Sequence, residues 1–216
     1  MKHLKKFATA QDYEAVKNNL PKPNVSLITD GSEVKYMKES GDGHEYVDLG
    51  LPSGTLWAKC NVGAETETDY GNYYMYGKGA SQYNSEDEMY EGVEEPLAAS
   101  ADTATQVWGS DWHTPTYEEF DELIANTTYE WVTDFNGSGI NGGKFTAQNG
   151  NYIFLPAAGF YVQEELADAN TGGHYWYSTP LNTITMAESH WISDENNEYT
   201  EADRVCGFSI RPVKDV

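Results

Sequence analysis

The chain has 216 residues, of which 39 % are hydrophobic and 13 % aromatic; this is enough for one sizeable core and too rich in apolar side chains for a disordered chain. Its formal net charge is −22, from 13 basic against 35 acidic residues, which excludes partners that need a positive surface, nucleic acid and anionic membrane above all. The chain shows no apolar run of spanning length and no leader at its start, so membrane insertion and the usual export route are not expected.

Residues 1–40 read as a small module. Seven of the 13 basic residues fall there. Thr9 is placed to cap a short helix reaching Asn18, and Pro21 and Pro23 stop it. NVSLI and EVKYM flank the turn signal TDGS, which predicts a β-hairpin. A helix and a hairpin bury too little to stand alone, so this module is expected to dock or oligomerise. ESGDGHE reads as a linker to a second region, residues 45–216.

From Glu45 onward short apolar runs alternate with glycine-rich turns: YVDLGLPSGTLWA, NYYMYG, NYIFLPAAGFYV, HYWYSTP, SHWI and VCGFSIRPV. YNSEDEMYEGVEEP, residues 83–96, is acidic and without period, and reads as a surface loop. NGSGINGGKF carries turn chemistry between short strands. The pattern predicts an α+β region built on twisted antiparallel sheet with long loops.

DWHTPTYEEF, residues 111–120, holds the one convincing helix start. Thr116 with Glu119 three residues later is a capping box, and Phe120, Leu123 and Ile124 then share a face, with Tyr117 one turn back. His113 in this stretch is expected to be structural, because no nucleophile or orienting partner accompanies it. The acidic residues lack the spacing of a divalent-cation loop. Cys60 and Cys206 lie outside any C-x-x-C motif, which removes zinc and thioredoxin chemistry and leaves their pairing open. No metal and no cofactor is expected.

Six motifs in order, VDLGLPSGTLWAKCNVGA, DYGNYYMYG, W-x-x-P-T-x-E-E-F-x-E-L, IFLPAAGF, YWYSTP and GFSIRPV, resemble the Fibrobacter succinogenes major paralogous domain from about Tyr46 to Val213. That family is similar to the C-type lectin fold, a scaffold shared with variable receptor-binding proteins of Bacteroides phages. The resemblance implies a C-type-lectin-like domain after the helix-plus-hairpin module, with the first and last strands paired so that Leu56–Cys60 meets Gly207–Val213. It also implies core aromatics at Trp57, Trp108, Trp112, Phe154, Trp176 and Phe208. The first 40 residues resemble a short attachment module of Bacteroides phage virion proteins.

In lectin-like binders the late strands touch the ligand, here Gly173 to Cys206. The interior of this stretch departs from the family pattern, and the expected contacts are His174, Tyr177, Thr183, Thr185, Glu188, His190 and Trp191. Tyr199, Glu201, Asp203 and Val205 are expected to rim the same face. Strand alternation buries only one of His190 and Trp191, so the alternative is a buried Trp191 with a satisfied His190 beside it. Arg204 is expected to brace the acidic loop and Arg211 to form a structural ion pair. The E-P-N or Q-P-D and W-N-D motifs of calcium-dependent sugar binding are missing, so no calcium site is carried over.

The resemblance therefore implies a non-catalytic receptor-binding or adhesin protein of a bacteriophage virion. Its partners would be a bacterial surface glycan or protein, and phage structural proteins held through residues 1–40, with a homotrimer consistent with that role. Localisation would be the virion, after synthesis in the host cytoplasm. A bacterial cell-surface or fimbria-associated adhesin shares the chemistry. The fold is also similar to formylglycine-generating enzymes, but a single distant cysteine pair supports that poorly.

Overall fold

The computed structural model describes residues 43–92, 97–181 and 183–215 in full, and 25–29 and 34–39 as backbone. The expected helix from Thr9, residues 30–32 of the TDGS turn, residues 40–42 of the linker and residues 93–96 of the acidic loop lie outside the described residues. The protein is α+β and mostly sheet. Thirteen strands form one five-stranded, two three-stranded and one two-stranded sheet among the described residues.

The hairpin predicted near the start is present as β1 (Val25–Thr29) and β2 (Val34–Glu39), paired antiparallel from Val25↔Lys38 to Thr29↔Val34. β2 pairs β3 (Glu45–Val47) through Lys38↔Tyr46 and Glu39↔Glu45, so the hairpin shares a sheet with the second region. β3 pairs β4 (Leu56–Ala58), and β4 pairs β13 (Val213–Lys214) through Val213↔Trp57. The ends of the second region thus meet, as the resemblance implied. The contact extends beyond the ladder, with Ala58 N donating to Pro212 O and Val62 N to Ile210 O.

Two helices come next in the chain. α1 (Thr103–Trp108) is too short to show a period in the sequence. Asp102 starts it by accepting from Thr105 N (2.7 Å), and its second oxygen accepts from Thr114 N (3.0 Å), tying the helix to the segment ahead of the next one. α2 (Tyr117–Asn126) begins with the predicted capping box: Thr116 Oγ1 accepts from Glu119 N, and Glu119 Oε2 accepts from Thr116 N at 2.8 Å. Glu119 also holds His113 Nε2 at 2.9 Å, a carboxylate partner that the sequence reading did not give this histidine. Burial pulls the His113 pKa down, and the Glu119 carboxylate, with smaller pushes from Asp215 and Asp102, leaves it raised.

The rest is sheet. β5 (Thr127–Val132), β6 (Gly142–Ala147) and β7 (Tyr152–Pro156) form a meander, and β8 (Phe160–Val162) with β9 (Glu165–Ala167) a small hairpin. Gly159, in the PAAG stretch, has φ +67°, and a Cβ there would strike the Ala167 carbonyl, so the close approach read from small residues is real. β10 (Gly172–Pro180), β11 (Met186–Ser193) and β12 (Asn197–Asp203) make the last sheet, in that order.

This last sheet divides the core. Trp176 and Ala187 pack into one buried cluster with Trp112, Tyr74, Tyr76 and Phe208. Tyr175, Tyr177 and Ile192 pack into the other with Trp57, Phe120, Phe145 and Leu155. Of the expected core aromatics, Trp57, Trp112, Phe154, Trp176 and Phe208 are buried, and Trp108 is half-buried beside Trp112. Arg211 is fully buried too, but not in the expected ion pair. Its guanidinium donates to the carbonyls of Ala58, Lys59 and Phe154 and to Asn61 Oδ1, at 2.7–3.1 Å. Carbonyl dipoles from two segments replace a carboxylate, and burial lowers its pKa.

Candidate binding face

The residues expected to bind fall mostly on the β11–β12 hairpin. SDEN closes it: Ser193 N donates to Asn196 O, and Ser193 Oγ accepts from Asn196 N. Across the hairpin His190 faces Tyr199, Glu188 faces Glu201 and Met186 faces Asp203. Trp191 faces Glu198 and Ser189 faces Thr200. Directly opposed residues share a side, and successive residues alternate. The expected single face is therefore two faces. Glu188, His190, Tyr199, Glu201 and Asp203 lie on one, with Tyr177. His174 and Trp191 lie on the other.

Two expected contacts are corrected. His190 is 0 % exposed and Tyr177 1 %. Both point into the cluster that contains Phe120, against which His190 stacks at 4.8 Å and 20°. Tyr177 Oη donates to His190 Nδ1 (2.9 Å), and His190 Nε2 donates to Asn197 Oδ1 (2.7 Å). Both nitrogens are thus satisfied by a neutral ring, and no side of it is left for a ligand. Burial drives His190 down to about 4, against an upward pull from Asn197. Alternation does separate the two neighbours, but it buries His190 and leaves Trp191 half-exposed, because α2 packs on the His190 side.

What remains open on that side is an aromatic and acidic patch. Tyr199 is 37 % exposed and Tyr117, at the start of α2, 38 %. Their rings meet edge-to-face at 5.6 Å. Tyr199 Oη lies 3.2 Å from Glu201 Oε1 and 3.4 Å from Glu188 Oε1. Burial and the Glu188 charge raise the Tyr199 pKa, so the phenol stays a donor. Tyr117 is held by its backbone N–H donating to Thr179 Oγ1 and by Ser178 N donating to Pro115 O, where β10 slips register between Trp176 and Pro180. The helix face Tyr117 was expected to share buries Phe120 and Leu123 without it; nothing in the sequence around Tyr117 marks it for contact with a strand some eighty positions later.

On the opposite side Trp191 lies across Gly172, where any Cβ would meet the indole. His174 sits 4.5 Å from Trp191 and stacks on Phe208 at 4.4 Å. Burial and the neighbouring His190 take His174 down to about 4. Phe160 closes the group, edge-on to both.

Thr183, Ile184 and Thr185 form an exposed loop before β11. Arg204 braces this loop from a fully buried position, and not the acidic stretch 194–203 that it was expected to brace. It donates to the carbonyls of Met186 (2.9 Å), Thr183 (3.0 Å), Tyr90 (3.1 Å) and Gly92 (2.6 Å), with the Tyr76 ring 4.8 Å away. Val205 beside it is 47 % exposed. Cys60 and Cys206 are free thiols whose pKa values burial raises. Among the described residues no group of three or more His, Cys, Asp or Glu is placed to hold a metal, and no helix is long and apolar enough to cross a membrane.

No family model, no curated protein and no solved structure matches the chain.

Proposed function

We propose that the chain is a non-catalytic binding protein with a C-type-lectin-like fold, a receptor-binding or adhesin protein of a phage virion that recognises a bacterial surface glycan or protein. The ordered motifs, the pairing of β4 with β13 and the aromatic framework support the fold. The observation that carries the function is the patch of Tyr117, at the start of α2, with Tyr199 and Glu201 on a hairpin anchored in the core through His190 and Ala187. Exposed tyrosines on fixed backbone give contact area at small entropic cost, and the acids fix orientation. His113 and His190 are bound to internal partners, Glu119 for the first and Tyr177 with Asn197 for the second. Several copies on one particle would multiply a modest affinity.

The test is an array of bacterial surface glycans and outer-membrane proteins probed with the intact chain and with Tyr117→Ala/Tyr199→Ala and Trp191→Ala variants. Loss of signal in the double tyrosine variant, with its melting temperature kept, is the expected result. Undiminished binding by both variants would remove this hairpin from the site.

A further inference from the structure

β12 is an edge strand, and its hydrogen-bonding pattern can be worked out. Ser193 N donates to Asn196 O at one end of the β11–β12 ladder, and Arg204 N donates to Thr185 O at the other. In an antiparallel pair, hydrogen-bonded and non-hydrogen-bonded positions alternate. Between those two fixed ends the hydrogen-bonded pairs are therefore Trp191↔Glu198, Ser189↔Thr200 and Ala187↔Ala202. The N–H and C=O groups of Asn197, Tyr199 and Glu201 then turn outward, to an edge that no described strand occupies. Asp203 turns the same way, with its carbonyl already accepting from Cys206 N.

Three of the seven residues of β12 are carboxylates, Glu198, Glu201 and Asp203, all exposed, and the turn before it adds Asp194 and Glu195. The adjacent cation, Arg204, is turned inward onto four carbonyls. A second copy of this chain added edge to edge would oppose carboxylates with carboxylates, which destabilises a sheet. An extended segment with lysine or arginine at alternate positions presents them on one face, where they meet Glu201 and Asp203 as cross-strand ion pairs while its backbone takes the outward groups. Tyr117 and Tyr199 lie on one flank of the added strand, where they suit the methylene stems of such side chains.

We propose that the outer edge of β12 binds a basic, extended segment of a protein partner by strand addition. The proposal deepens the reading of the hairpin as a binding face and rests on it, since it names the partner class for that face.

The experiment titrates the intact chain with short labelled peptides of alternating lysine and valine. Two companion peptides carry glutamate for lysine, or proline for the two central valines. The lysine peptide binds, the glutamate peptide does not, and the proline peptide, of equal charge, binds about tenfold more weakly or worse. On the protein side Glu201→Pro removes an outward N–H and leaves the ladder to β11 intact. It weakens the lysine peptide beyond the loss seen for Glu201→Ala. Equal affinity for the lysine and proline peptides reduces the effect to charge alone and overturns the proposal, as does failure of all three peptides to bind. Should Glu201→Pro not fold, the peptide pair on the parent chain still decides. The surface array separates the two readings: if Glu201→Pro keeps an array signal that Tyr117→Ala/Tyr199→Ala loses, the edge idea falls and the face stands.

Discussion

β10 and β12 lie in one sheet with only β11 between them, yet they are built to opposite specifications. β10 is buried along nearly its whole length, on both faces, with Trp176 in one core cluster and Tyr175 and Tyr177 in the other. β12 has exposed residues at Glu198, Tyr199, Glu201 and Asp203. Burial on both faces fixes the position of β10, and β11 transmits that position outward. The free strand thus carries side chains that contribute little to folding, on a backbone that is nonetheless held in place. That division is what a recognition surface needs.

The contrast is broken most strongly from the buried side. Phe120 is fully buried between Trp57, Tyr177 and His190. Phe120→Ala should cost about 3–5 kcal/mol, the transfer of the ring plus the cavity it leaves. Tyr199→Ala, one strand outward and exposed, should stay within about 0.5 kcal/mol of the parent. Urea unfolding of both variants checks the pair. Comparable losses would mean that β12 is as much a part of the core as β10.

The second test uses protons. An unfolded histidine titrates near 6.5, and folded His190 is held near 4 by burial. Between those values the unfolded chain takes up a proton that the folded chain refuses. Stability is therefore full above pH 6.5 and falls as the pH drops toward 4, by about 3 kcal/mol for one such imidazole. His174 acts in the same sense. His113 acts in the opposite one: its raised value gives stability that is present below pH 6.5 and lost as the pH climbs through the folded value. The expected outcome is a flatter profile of unfolding midpoint against pH for His190→Gln than for the parent between pH 6.5 and 4. Parallel profiles would place the sensitivity elsewhere.

How far the sequence disclosed this design varied by element. The capping box at Thr116 and Glu119 is a local hydrogen-bond rule, and both of its bonds form between the residues that spell it. The hairpin over 25–39 was visible because a turn signal separated two short apolar runs. α1 was missed, since six residues cannot display a period and its start depends on Asp102 reaching Thr114 across the chain. At the site, alternation predicted that His190 and Trp191 part company but not which way. That choice was made by α2 packing Phe120 against the His190 side, a long-range contact with no local trace. Arg211 was recognised as structural, but three of its partners are carbonyls from two segments, and backbone acceptors leave no mark in a sequence.

The smallest expected effect is the most telling for the edge. Glu188 and Glu201 are directly opposed across β11 and β12, with Tyr199 Oη within reach of both. Like charges in that position weaken a sheet, and opposite charges strengthen it, by about 0.2–1 kcal/mol. Glu201→Lys should therefore raise the unfolding midpoint slightly, and more at low salt than at high. The same substitution should weaken the lysine–valine peptide, because it turns an attractive cross-strand position into a repulsive one. An edge kept acidic only to prevent aggregation would tolerate lysine equally well, since either charge discourages edge-to-edge pairing. A variant that is more stable and a poorer binder would show that the carboxylate is retained at a cost to folding. A variant that gains stability with peptide affinity unchanged would leave the acids of β12 as guards of an unused edge.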